Sequence, residues 1–235
     1  MTPNGDAPDG PIPIIGGTGA LGYGLAVRWA SAGLPVVIGS RDPARAVEAA
    51  ARVEAEVPGA KVTGTANEEA AQAGRIVFLT VPFRAQSETL NNLRGTLEPG
   101  QILVDCTVPL AAAVSGKATR SLGVWQGSAA QQAQEMVPEG VTVVAALHSV
   151  GAPKLANLDD AVSEDVFVCG DRKADKRPVA KLIERIEGLR AINAGPLEMA
   201  RIAEQLTPLL ISVNVRYKAH AGFRLTDIDP TDHWD

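Results

Sequence analysis

A short glycine pattern, Gly17-x-Gly19-x-x-Gly22, leaves few folds open to this chain. It sits between an apolar strand expected at residues 12–15 and a helix expected from about Leu21. In a strand–turn–helix context the pattern is the phosphate-binding turn of a Rossmann-type βαβ unit. Gly17 is expected to permit the sharp turn, Gly19 to let a pyrophosphate approach the backbone, and Gly22 to let helix pack close on strand. Thr18, Ala20 and Leu21 complete the loop, where free N–H groups and the positive end of the helix dipole favour phosphate.

The remaining chain repeats the strand–helix alternation. Strands are expected at 34–38, 61–65, 75–81, 101–105, 141–145, 166–169 and 191–193. Helices are expected from Asp42-Pro43 to Val57, from Asn67, over 85–94, 128–137 and 173–187, and in a long segment over 197–220. The strands are apolar throughout rather than alternating, which marks a parallel sheet covered on both faces. The fold class is therefore α/β, a doubly wound, mainly parallel sheet. Residues 1–11 read as a disordered tail and 12–150 as the dinucleotide-binding domain, leaving 151–235 as a small C-terminal α/β domain. Two features sit awkwardly. Pro11 and Pro13 flank Ile12 in a central strand, so the strand starts at Ile14 or is bulged at its entry. Residues 111–127 read as a long loop. The segment from Leu206 to Val215 is apolar almost all round and is expected to be buried, in the fold or in a subunit interface.

The end of the second strand selects the dinucleotide. An enzyme using NAD usually places Asp or Glu there for the ribose hydroxyls. This chain has Gly39-Ser40-Arg41, with Arg45 one turn on, while Asp42 is explained as a helix N-cap. A hydroxyl and two guanidiniums suit a 2′-phosphate, so NADP is the expected cofactor. By the rule that ligands lie beyond the carboxyl ends of the strands, Thr80-Val81-Pro82-Phe83 is expected to border the nicotinamide ribose. Asp105-Cys106-Thr107-Val108-Pro109 is expected to border the ring. His148, after the sixth strand, points to the same edge, either as a structural hydrogen-bonder or as an acid, base or ligand contact. It is the one catalytic candidate.

Composition excludes other classes. The net charge of −5 offers no basic surface for nucleic acid. No apolar run reaches the roughly 20 residues of a membrane span. Cys106 and Cys169 lie far apart and read as buried thiols in a reducing compartment, which points to the cytoplasm. His220 and His233 lack partners at metal-ligand spacing, so no metal site is expected.

Taken in order, GGTGALG, IGSRD, LTVPF, ALHSVGAPKLANLDD, VCGD, AGPLEMAR and LTPLLISVN resemble the NADPH:F420 oxidoreductases, from Ile14 to about Phe223. That resemblance implies a Rossmann domain with a small C-terminal domain, a homodimer, and hydride exchange between NADP(H) and the deazaflavin coenzyme F420. It implies that Thr18 to Leu21, Ser40, Arg41 and Arg45 bind NADP, and that Phe83, Val108 and Ala152 line the nicotinamide side. His148, Ser149 and Val150, with Leu206 and Pro208 of the LTPLL helix, would border the deazaflavin. Arg216, Lys218 and Arg224 are candidates for its anionic tail. Two other readings remain open. A reductase of a small carbonyl or imine needs a proton donor, for which Lys154 and Glu204 are the candidates. A non-catalytic NADP(H) sensor needs only the glycine loop and the arginines.

Overall fold

Neighbouring residues of the central strands feed two separate cores, as the unbroken apolar runs require. Ile12, Ile14, Val36, Ile38, Ile76, Phe78, Ile102 and Val104 pack on one face, and Ile15, Val37, Val77, Leu79 and Leu103 on the other. The computed structural model describes residues 10–229 and 234. The expected tail at 1–11 falls mostly outside the described residues, and His233 falls wholly outside them.

Eight strands form one sheet: β1 (Ile12–Ile15), β2 (Val36–Ser40), β3 (Val62–Ala66), β4 (Ile76–Leu79), β5 (Ile102–Asp105), β6 (Thr142–Ala145), β7 (Glu164–Cys169) and β8 (Leu189–Gly195). Their order is β3-β2-β1-β4-β5-β6-β7-β8. All neighbouring pairs are parallel except β6–β7, which meet antiparallel at Ala145 and Cys169. The doubly wound α/β class holds. β7 and β8 continue the same sheet rather than building one of their own.

The helices are α1 (Ala20–Ser31), α2 (Pro43–Glu56), α3 (Asn67–Gln72), α4 (Phe83–Leu93), α5 (Ala129–Met136), α6 (Ala152–Ala156), α7 (Lys173–Glu184) and α8 (Ala200–Tyr217). Local signals set several ends. Asp42 caps α2 by accepting from the Ala44 amide at 3.0 Å, with Pro43 in the first position. Ser128 caps α5 through the Gln131 amide. Gly33 follows α1 at φ +77°, a left-handed geometry that only glycine takes without strain.

Three expectations change. β1 begins at Ile12 and is not bulged: it pairs with β2 from Ile12 onward, but with β4 only at Ile14 and Ile15. Ile12 donates toward β2 and Ile15 accepts from β4, so the donor missing at Pro13 falls on the β4 side, before that ladder begins. Gly74 leaves room there, since a Cβ on it would stand 3.0 Å from the Pro13 ring. Residues 111–127 are not a plain loop either. They hold a 3-10 turn at Ala111–Val114 and a bridge between Leu110 and Ser121. Finally, the 206–215 stretch is only half covered within one chain. Pro208 and Leu210 are buried, whereas Leu209 is 53% exposed and Val215 74% exposed. Only the flank of α8 carrying Ala200, Ala203, Glu204, Pro208 and Leu210 meets the core.

Candidate active site

The glycine loop turns on a residue that the pattern did not single out. Gly16, at φ +72°, makes the left-handed turn that was expected of Gly17, and its amide donates to Asn67 Oδ1 at 3.2 Å. Gly17 is needed for closeness instead: an added Cβ would lie 2.9 Å from the Ile14 carbonyl. At Gly22 it would lie 2.6 Å from both Gly17 Cα and Thr80 Oγ1. At Gly19 it would approach only backbone carbonyls, the Gly16 oxygen at 3.3 Å and the Thr80 oxygen at 3.9 Å. Gly19 caps α1 without a side-chain partner, so the first amides of that helix are open to a ligand.

These amides face a cleft of about 470 Å³ where the strand order reverses between β1 and β4. Gly19, Ala20, Leu21, Pro82, Phe83 and Val108 line it, as do Thr80, Val81, Cys106 and Thr107. Arg84, Leu110, Ala112 and Ala113 also line it and were missed. Ala112 and Ala113 belong to the stretch 111–127, read as a long loop, and Leu110 lies just before it. Gly17, Thr18 and Gly22 are not part of the lining. Ser40, Arg41 and Arg45 stand to one side, at the end of β2 and the start of α2. Ser40 is buried, its Oγ accepting from the Asp42 amide, while both arginines are exposed. Arg41 lies 3.9 Å from Glu88, an exposed pair of small energetic weight.

Behind the floor lies a buried polar network. Gln86 Nε2 donates to Asp105 Oδ2, Thr107 Oγ1 and the Ala129 carbonyl, and its Oε1 accepts from Gln132. Asp105 Oδ1 accepts from the Thr107 amide at 2.7 Å, fixing the turn that brings Val108 to the cleft. Burial pushes the Asp105 carboxyl up to about 6 against these bonds. Sequence patterning passed over Gln86 and Asn67 because each is polar at a core position.

His148 lies off the cleft lining, on a segment whose preceding residue, Leu147, takes φ +67°. Its carbonyl accepts from Thr207 Oγ1 at 2.8 Å, which ties it to α8 beside Leu206 and Pro208. Burial lowers its pKa to about 4, outweighing a bond to the Asp105 backbone, so the ring is neutral at pH 7. Its Nε2 is buried and makes no hydrogen bond. Ser149, the buried Val150 and Ala152 continue this segment into α6.

The proton-donor candidates are engaged elsewhere. Glu204 accepts from the Ala129 and Ala130 amides, and neither it nor Lys154 lines the cleft. Of the three C-terminal cations, Arg224 lies 3.5 Å from Asp165, while Arg216 and Lys218 are exposed. Cys106 and Cys169 are both free and buried. Among the described residues there is no cluster suited to a metal ion, and no helix is long and apolar enough to cross a membrane.

Comparison with known proteins decides the family. Residues 11–109 match the family model described as NADP oxidoreductase, coenzyme F420-dependent. The chain is 41% identical to the F420-dependent NADP reductase of Methanothermobacter thermautotrophicus, over 92% of this chain and 95% of that one. The chain belongs to the F420-dependent NADP reductase family. The reductase of Methanocaldococcus jannaschii is 39% identical over 93% of this chain and 99% of its own. A solved structure, a putative F420-dependent NADP reductase from an Arthrobacter species, superposes with a TM-score of 0.73 at 26% identity, covering 92% of this chain and 98% of that one.

Proposed function

We infer that this protein transfers hydride between NADP(H) and the deazaflavin coenzyme F420. The observation that carries the reading is identity of 41% to an F420-dependent NADP reductase across 92% of the chain. The site suits the dinucleotide. The open amides of α1 suit a pyrophosphate, and Ser40, Arg41 and Arg45 suit a 2′-phosphate in a place without the carboxylate an NAD site would carry. When bound, the two carriers supply the hydride chemistry between their own ring carbons. What remains for the chain is to hold the rings together and keep water out. The cleft agrees with that division, since no carboxylate or histidine among the described residues lines it. Mixing the protein with NADPH and oxidised F420 should bleach the deazaflavin absorbance, and unchanged absorbance would overturn the reading.

His148, with Ser149, Val150, Leu206 and Pro208, is assigned to the F420 side, and Phe83, Val108 and Ala152 to the nicotinamide side. The unpartnered Nε2 of a neutral His148 supports a hydrogen bond accepted from the second carrier. His148→Ala should therefore lower turnover with F420 while NADP(H) affinity stays within a few-fold, because the phosphate anchors lie apart from this segment. Activity falling only in step with the folded fraction would make His148 a core residue and nothing more.

We assign residues 12–150 to nucleotide binding and 151–235 to the second-carrier pocket and a dimer contact. A homodimer in the cytoplasm completes the proposal. The exposed apolar flank of α8 supports the dimer, and two free, buried thiols agree with a reducing compartment.

A further inference from the structure

Arg84 is an exposed guanidinium in the first turn of α4, and it lines the cleft. Every other lining residue among the described ones is uncharged, Cys106 included, because burial pushes that thiol well above its ordinary range. No carboxylate pairs with Arg84 among the described residues, and the first turn of α4 contains no acid. A cation in the first turn of a helix lies against the positive end of its dipole, a small standing cost to the fold. An arginine kept there without a partner, on the wall of a cleft, is placed to meet an anion that arrives from outside.

We propose that Arg84 binds the pyrophosphate of the nicotinamide dinucleotide, closing on it from the wall opposite the amides of α1. This rests on reading the cleft as the dinucleotide site. The choice of anion follows from the lining: Gly19, Ala20 and Leu21 share the cleft with Arg84, and the pyrophosphate lies at that helix end in a fold of this class. The 2′-phosphate is a poorer match, because Ser40, Arg41 and Arg45 stand outside the lining. A guanidinium can grip two phosphate oxygens at once, adding a side-chain clamp to a site otherwise made of backbone donors.

The pyrophosphate is common to NADPH and NADH, and that makes the assignment separable from the selection of NADP. Equilibrium titration of the full chain with each nucleotide is the test. Arg84→Ala should weaken both by the same factor, on the order of tenfold for a lost charge-assisted hydrogen bond. Arg84→Lys should recover part of the loss, since it keeps the charge and loses the fork. Arg41→Ala serves as the contrast and should weaken NADPH far more than NADH. Melting temperatures measured alongside show that each variant is folded, as expected for an exposed side chain. Unchanged affinity for both nucleotides in Arg84→Ala overturns the assignment. So does a loss confined to NADPH, which would make Arg84 a 2′-phosphate ligand. A raised KM for F420 with normal NADPH binding overturns it as well, in favour of the acidic tail of the second carrier. If the unmodified protein binds neither nucleotide, the reading of the cleft fails and the proposal with it.

Discussion

Glu204 occupies a position where a helix packed this closely ordinarily carries an aliphatic side chain. It is 1% exposed, and its carboxyl accepts from the Ala129 and Ala130 amides at the start of α5. Burial outweighs those bonds and pushes its pKa to about 8. Between the ordinary value of 4.5 and about 8, the folded chain keeps a proton that the unfolded chain has released. Its contribution to stability is therefore present below 4.5 and is lost as pH rises through 8. His148 works in the opposite sense. Its pKa falls from 6.5 to about 4, so stability is lost as pH drops through that window. Glu204→Gln should flatten the fall in unfolding free energy between pH 4.5 and about 8, read by denaturant titration at each pH, by up to about 1.4 kcal/mol per pH unit for one proton. It should leave the His148 loss, as pH drops toward 4, in place, and an unaltered slope between pH 4.5 and 8 would show that Glu204 is ionised in the fold. Residues of this kind are where the sequence was least legible. Asp42-Pro43 and Gly33 announce themselves because their signals are local. Gln86, Asn67 and Glu204 sit in core register, and only the partner across space explains why each is polar.

Among the elements, α6 depends most on others. At five residues it is too short to be stable by itself. α1 holds it in two ways. Gly24 admits it closely, since a Cβ there would stand 2.6 Å from Leu155 Cβ. Arg28 then donates to four carbonyls, those of Lys154 at 2.6 Å, Leu155 at 3.0 Å, Asn157 at 2.6 Å and Asp160 at 2.7 Å. A guanidinium on the last carbonyls of a short helix satisfies acceptors that have no partner within it. Arg28→Ala should cost about 1.5–3 kcal/mol, and the loss should be local. Hydrogen exchange ought to quicken over residues 152–160 while the amides of β1, β4 and β5 keep their protection. Uniform acceleration across the sheet would mean that α6 unfolds only with the whole. Nothing in the periodicity of these residues marked α6, because a single turn gives a pattern no room to repeat. The strands of the sheet were legible to within two residues at each end, since most are dense apolar runs bounded by breakers, β3 with its VTGTA being the weakest signal. Their order and the reversed direction of β7 were not, being fixed by contacts distant in sequence.

For the molecule as a whole, the unresolved balance lies on the outer flank of α8. Ile202, Leu206, Leu209, Val213 and Tyr217 fall at spacings of three or four, which puts them on one stripe of the helix. Ile202 is 49% exposed, Leu209 53% and Tyr217 74%, with Leu206 and Val213 half-buried between them. The opposite flank is already in the core, so the stripe has no further cover among the described residues. A contiguous apolar stripe on a soluble protein marks a contact surface, and covering it with the same helix of a second copy repeats one patch on both sides of a twofold axis. The same helix carries Thr207, whose hydroxyl holds the His148 carbonyl, so a contact here would brace the wall proposed for F420. Placing a charge on the stripe tests this, because a buried like-charge pair at a twofold contact is strongly unfavourable. Leu209→Glu should shift the protein from dimer to monomer in sedimentation at micromolar concentration. Its melting temperature should become less dependent on protein concentration, as for any fold stabilised by association. F420 turnover should fall further than NADPH affinity, since the glycine loop and the arginines lie elsewhere. A parent protein that sediments as a monomer would remove the dimer from the proposal. A dimer untouched by Leu209→Glu would put the contact on another face.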